Sequence, residues 1–359
     1  MPEYLAPGVY VEEIAFRAKS IEGVSTSTAG FVGASRGAKF VCGITSYVEF
    51  ERSAPGDSSA YLSGAMRGFF DNGGRGCAIA WITPTDPVEA ALEKLSDEKL
   101  SILCCPDESV FSNAAASMAA YCEQRKDRFC ILQAPQPVVA HATHEPAVRS
   151  SYAAYYHPWL TTGAGIGARP IPPCGHVAGV YARTDTQHGV WKAPAGAGAK
   201  IYGATALSQD VSATDSDLLV SRGVDVLRAD PAGGIVVWAA RTTSQDPEWK
   251  YVNVRRLLIF VEESIGEGLQ WVVSEPNGIA LWETVRTAMD QFLLGLWRAG
   301  AMTGSKADEA YFVRCDRSTM TQDDIDNGRL VALVGVAPLR PAEFVIFRVT
   351  VQSTSRRVE

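Results

Sequence analysis

Between residues 77 and 135 the chain alternates two kinds of pattern. Three continuous apolar runs stand out: Cys77-Ala78-Ile79-Ala80-Trp81-Ile82, Leu100-Ser101-Ile102-Leu103-Cys104-Cys105 and Phe129-Cys130-Ile131-Leu132. Each is followed closely by a proline, at Pro84, Pro106 and Pro135. Short, uninterrupted apolar runs predict strands buried on both faces. The stretches between them have helical spacing. Residues 87–95 open on Pro87, whose missing N–H costs little in a first turn. Residues 112–125 are alanine-rich, place Met118, Tyr121 and Cys122 on one face, and offer Ser112 as an N-cap. A β-α-β-α-β series predicts a parallel sheet covered by helices.

Residues 163–199 are dense in Gly and Pro and predict long loops around one short helix near residues 177–181. Strands are expected again at residues 224–227 and 234–240. Two longer helices follow. Residues 252–265 carry Val254, Leu257, Leu258, Val261 and Ile265 at helical spacing. Residues 279–297 do the same with Trp282, Val285, Met289, Phe292, Leu293 and Leu296, with Asn277 expected as cap and Gly300 as stop. Residues 310–315, 330–336 and 343–351 return to strand composition.

The two ends share one peculiarity. Val9, Tyr10, Val11, Glu12, Glu13 and Ile14 compose a strand with no adjacent strand to pair with. The final strand, carrying Phe344, Ile346, Val349 and Val351, is longer than a hairpin there would need. Such strands are hazards in a monomer and connectors in a polymer, where each can extend a neighbour's sheet. The expected fold is therefore α/β of mixed α+β character. A parallel βαβ outer domain (residues 23–245) and a C-terminal α+β domain (246–343) lie between strand-exchange arms at 1–22 and 344–359.

Composition narrows the function. Asp+Glu exceeds Lys+Arg, 40 to 33, for a net charge of −7, so nothing provides the basic excess of a general nucleic-acid binder. No apolar run approaches the ~20 residues that span a bilayer, and the first residues lack a basic and apolar leader pattern. Assembly in the cytoplasm and no membrane insertion are expected. Eight cysteines in 359 residues are too few for a disulfide scaffold, and buried thiols are the expectation.

Site chemistry is sparse. Gly73-Gly74-Arg75-Gly76 resembles a phosphate loop, but it precedes its strand and no helix start follows. Gly163-Ala164-Gly165-Ile166-Gly167 is followed by Pro170, Pro172 and Pro173, which argue against a helix there. Cys174-Gly175-His176 lacks two further ligands at zinc spacing. His141, His144 and Glu145 are not in a metalloprotease order, and the five histidines read as scattered singly. Asp323-Asp324-Ile325-Asp326-Asn327-Gly328 lacks calcium-loop spacing, and Thr321 with Asp324 fits a capping box better. No Gly-x-Ser-x-Gly elbow occurs. No catalytic residue, cofactor or metal is therefore expected. A doubly wound α/β enzyme and a self-assembling tube or shell protein both stay open.

Several long segments carry a resemblance. They are Tyr4-Leu5-Ala6-Pro7-Gly8-Val9-Tyr10-Val11-Glu12-Glu13, Gly23-Val24-Ser25-Thr26-Ser27-Thr28-Ala29-Gly30-Phe31-Val32-Gly33 and Phe69-Phe70-Asp71-Asn72-Gly73-Gly74. Further on come Pro172-Pro173-Cys174-Gly175-His176, running on to Thr184-Asp185, and Gly189-Val190-Trp191-Lys192-Ala193-Pro194. The most specific are Trp249-Lys250-Tyr251-Val252-Asn253-Val254-Arg255-Arg256, Glu275-Pro276-Asn277 before Leu281-Trp282, and Ala337-Pro338 before Pro341-Ala342-Glu343-Phe344. In this order, over nearly the whole chain, they resemble contractile tail sheath proteins. Cys174, where a small residue is usual, and Ala239-Ala240-Arg241, where Gly-Ala-Arg is usual, depart from the pattern.

The resemblance implies a structural subunit of a phage tail or phage-tail-like injection particle, of the compact type. It implies stacked hexameric rings, helical assembly with copies of itself around an inner tube protein, and baseplate and terminal cap proteins as further partners. The helix at residues 279–297 leaves Arg286 and Arg298 on its polar side, with Lys306 in the loop beyond. Weak, steerable contacts suit charged rims, so these three are the expected tube contact.

Overall fold

A computed structural model describes residues 20–163 and 168–343. Val9, Tyr10, Val11, Glu12, Glu13 and Ile14 lie outside the described residues, as do Phe344, Ile346, Val349 and Val351 and the glycine run at 164–167. The chain forms two compact units. One comprises Ser27–Arg256 and the described residues from Leu339 on; the other comprises Leu257–Pro338 and the described residues up to Thr26.

The larger unit is built on a nine-stranded sheet. In chain order its first elements are β1 (Ala29–Ala34), β2 (Lys39–Ile44), α1 (Tyr47–Ser53), α2 (Ala60–Asp71), β3 (Cys77–Ile82), α3 (Val88–Lys94), β4 (Ile102–Cys104), α4 (Ala114–Arg125), β5 (Phe129–Gln133) and β6 (Ala153–His157). Next come β7 (Leu160–Thr162), β8 (Arg169–Ile171), α5 (Cys174–His188), β9 (Lys200–Ile201), β10 (Ala206–Leu207), α6 (Ala213–Ser221), β11 (Asp225–Ala229) and β12 (Ile235–Val237). The sheet order is β2-β3-β1-β4-β5-β6-β11-β12-β9. Every pairing from β3 to β11 is parallel, and antiparallel strands finish both edges.

The predicted parallel core is present because β3, β4 and β5 are buried along their whole lengths. Helices cover both faces. Gly30 lies under Leu95, just past α3, whereas Gly33 lies under Leu62 of α2. Residues an odd number apart on a strand face opposite sides.

Three local expectations are corrected. Residues 174–188 form one 15-residue helix, α5, rather than loops around a short helix. The prolines before it end at its cap, Pro173, where a missing N–H is harmless. Its glycines face α2 at backbone range: a Cβ on Gly175 would lie 2.2 Å from Ala65 O, and one on Gly179 2.5 Å from Phe69 O. Helix α4 starts at Ala114 after Asn113 in the left-handed region (φ 57°), so Ser112 does not cap it. The cap of the long helix at residue 279 is Gly278, and Asn277 instead accepts from Trp282 Nε1 at 2.7 Å.

Helix α7 (Val252–Gly268) runs from the larger unit's chain into the smaller one's. The smaller unit continues with α8 (Ile279–Arg298), α9 (Ala307–Ala310), β13 (Tyr311–Arg314), α10 (Gln322–Asp326) and β14 (Leu333–Val336). Strands β13 and β14 form a two-stranded antiparallel sheet. Ile21, Trp282, Val285, Ala288, Met289, Cys315 and Met320 make the buried core. Gly300 ends the α8 turn at φ +84°, as a stop residue should. Thr321 and Asp324 form the expected capping box on α10.

Candidate assembly surfaces

Two places stand out, one in each unit. In the larger unit, Arg241 and Tyr251 face each other across an isolated antiparallel bridge. Thr242 N donates to Lys250 O at 2.8 Å and Val252 N to Ala240 O at 3.2 Å. That short ladder sets Arg241, Lys250 and Tyr251 side by side, all aimed at Glu343. Arg241 donates through Nε to Oε1 at 2.7 Å and through Nη2 to Oε2 at 2.6 Å. Lys250 Nζ donates to Oε2 at 3.1 Å, and the Tyr251 hydroxyl donates to the same oxygen at 3.2 Å. Burial opposes the charge on Glu343, but the hydrogen bonds from Arg241 and Lys250 win and hold its carboxyl below the usual range.

Two further segments of the resemblance, those with Asp185 and Trp191, meet the 249–256 segment beside this cluster. Asn253 Nδ2 donates to Trp191 O at 2.9 Å and to Leu339 O at 3.0 Å. Arg256 pairs with Asp185 at 2.7 Å, both side chains 3% exposed. The Arg255 guanidinium lies 3.5 Å from the Trp249 ring centre and 4.3 Å from that of Tyr152. A buried pair offers little net stability over an apolar one, but removing either member leaves a stranded charge. These contacts join residues up to about a hundred positions apart, which is why no local pattern announced them.

In the smaller unit, β13 and β14 have no third strand among the described residues. Phe312 and Leu333 are about half exposed on it. Two strands alone are marginal, and their outer edges carry backbone groups able to pair. The chain enters this unit through a firm root. Ile21 is buried over Gly268, Gly23 lies against the Phe260 ring, and Val24 N donates to Ser264 Oγ at 3.1 Å. Arg286, Arg298 and Lys306 are all exposed, and none is in an ion pair among the described residues. They do not form one cluster. Arg286 and Arg298 are about 18 Å apart along the helix axis at 1.5 Å per residue.

The crevice where doubly wound sheets bind ligands lies at the C-terminal ends of β1 and β4, where the strand order reverses. Here it is bridged from within. Asp107, just past β4, accepts from Ala34 N at 2.8 Å and from the Ser59 hydroxyl. Ser59 itself caps α2, accepting from Tyr61 N and Leu62 N. The positive end of α2 thus already faces the chain's own carboxyl group, which burial raises above its ordinary pKa. Seven of the eight cysteines are buried and all are free, as expected; Cys42 is exposed. The histidines, by contrast, are not all scattered. His141 Nε2 lies 3.2 Å from His157 Nε2, and His144 Nε2 lies 3.2 Å from the Tyr155 hydroxyl.

Comparison with known proteins agrees with the resemblance. Residues 83–243 match the phage tail sheath protein central domain, and residues 244–352 match the phage tail sheath C-terminal domain. The tail sheath protein of Enterobacteria phage T4 is 25% identical over 188 residues, 52% of this chain and 28% of the T4 protein. A putative prophage major tail sheath protein of Pseudomonas aeruginosa is 26% identical over 190 residues, 47% of its own length. The chain thus spans less than half of these curated relatives. Solved structures match over their full length. The sheath of the extracellular contractile injection system PVC, contracted, is 29% identical with a TM-score of 0.82, covering 99% of this chain and 100% of that one. The contracted helical sheath of the anti-feeding prophage is 34% identical with a TM-score of 0.80, covering 97% and 99%. With both sheath domains matched in order and a relative above 30% identity aligned end to end, the chain belongs to the phage tail sheath protein family.

Proposed function

We propose that this chain is the structural subunit of a contractile sheath on a phage tail or phage-tail-like particle. It polymerises helically around an inner tube and shortens to drive that tube through a target envelope. The observation that carries this reading is the two-stranded β13–β14 sheet, which has no third strand among the described residues. The segments at 1–22 and 344–359, with their strand composition, are suited to pair with the edges of that sheet on neighbouring copies. A contact between unlike surfaces that does not close on itself yields a helical array. Contraction then follows from rigid-body rotation of subunits into a tighter packing. The work comes from interface energy stored at assembly, so nucleotide hydrolysis has no part in it.

Partners under this reading are copies of the chain in stacked hexameric rings, the inner tube, and baseplate and cap proteins. The tube is met through Arg286, Arg298 and Lys306. Electron microscopy of the expressed chain, alone and with its tube protein, tests the proposal. Tubular polymers of two discrete lengths and widths are expected. Polymers of a single form would favour the non-contractile tube, and a soluble monomer under all conditions would refute assembly.

A further inference from the structure

The stretch Leu339–Glu343 rejoins the larger unit with almost no apolar burial to hold it. Leu339, Arg340 and Ala342 are exposed and Pro341 is half-buried. Two polar pins hold it instead. Asn253 takes the Leu339 carbonyl at one end. At the other, Glu343 accepts four hydrogen bonds from Arg241, Lys250 and Tyr251. The donors are firmly seated. Arg241 also donates through Nη1 to Val220 O at 2.8 Å, and its backbone N–H goes to buried Asp225 at 2.8 Å. The Arg241 and Glu343 side chains are 11% and 20% exposed, so salt screens this pair less than a surface pair.

We propose that Glu343 is a latch. It fixes residues 339–343 on the larger unit, and so sets the point from which residues 344–359 start toward a second copy of the chain. The latch is a positioning device and rests on the sheath reading for its purpose, though not for its existence. Charge is essential to it. Oε2 meets three donors at once, a load that suits a carboxylate and not an amide. In Glu343→Gln, one orientation of the amide sets its NH₂ against those three donors. The other sets it against Arg241 Nε.

The test uses the full-length chain in two steps. Backbone 15N order parameters are first measured on the unassembled protein, for wild type, E343Q and the milder K250M, alongside thermal unfolding. Polymer yield and length are then scored by pelleting and electron microscopy. We expect the order parameters at the amides of residues 339, 340, 342 and 343 to fall from about 0.85 in wild type to below about 0.6 in E343Q, with K250M between them. Global melting should stay near wild type, and E343Q polymers should be sparse or short. Unchanged order parameters at these four residues would overturn the latch. Lower order parameters with wild-type polymers would overturn its positioning role. If the wild-type chain itself never polymerises, the sheath reading fails while the order parameters still decide whether the latch exists.

Discussion

Buried titratable groups set opposing pH responses in the larger unit. Burial raises the Glu108 carboxyl from 4.5 to about 7, and its Oε2 is buried without a hydrogen-bond partner. The folded state therefore favours its protonated form. That contribution is complete below pH 4.5 and is lost as pH rises through 7. His157 is the opposite case. Burial, then its neighbours His141 and His144, lower it from 6.5 to about 3. Its contribution is complete above pH 6.5 and is lost as pH falls toward 3. Glu108→Gln should thus gain stability over wild type between pH 4.5 and 8, by on the order of 2–4 kcal/mol, with little further change below 4.5. His157→Gln should flatten the acid side of the profile. Urea unfolding at five or six pH values measures both. A Glu108→Gln difference that does not vary with pH would show that the carboxyl titrates normally. None of this was legible in the sequence, where Glu108 sits in a polar turn and His157 stands thirteen residues from His144.

Elements were legible in proportion to how plainly their pattern reports burial. β3, β4 and β5 are continuous apolar runs and were predicted. β6 reads Ala153-Ala154-Tyr155-Tyr156-His157, without one aliphatic β-branched residue, and gave no strand signal, although every residue in it is buried. Helix α5 runs well beyond the short helix expected near residues 177–181, because glycine ordinarily breaks helices and its pattern hides the rest. Its Gly175 and Gly179 are there for another reason: four residues apart on one face, they let α2 approach to backbone contact. Gly179→Ala should cost about 1–3 kcal/mol by forcing the two helices apart, despite alanine's better helix propensity. A thermal melt at or above that of wild type would mean that α2 and α5 are not in contact. In α8 the buried face was legible throughout, and so was the exposed one. Reversing Arg286, Arg298 and Lys306 to Glu should lower tube binding tenfold or more at low salt, with a smaller loss near 0.5 M salt, and leave sheath polymers intact. Co-pelleting with the tube protein at both salt concentrations checks it. Equal binding at both would place the tube contact elsewhere.

At the scale of the whole molecule, the described residues show the two chain ends rooted in different units. The N-terminal root is hydrophobic: Ile21 belongs to the core around Trp282 and Met289, and Gly23 and Val24 lock onto α7. The C-terminal root is polar and belongs to the α/β unit. The sequence suggested two arms but not this division, because the chain's return at Leu339 depends on partners such as Asn253 and Arg241 some ninety to a hundred residues back. The division matters for assembly. Under the proposed sheath function, a segment continuing from each unit would tie a subunit to its neighbours at two independent places, so a lattice would stay connected while subunits rotate. Deleting residues 1–20 leaves Ile21 and every contact named above in place. Unfolding free energy should then stay within about 0.5 kcal/mol of wild type, the range of surface changes. Polymer formation should be lost, because the β13–β14 edge of each copy would lack its incoming strand. Sedimentation velocity and electron microscopy of the truncated chain read the two halves of this expectation. Tubes of normal length from the truncated chain would exclude any connecting role for residues 1–20.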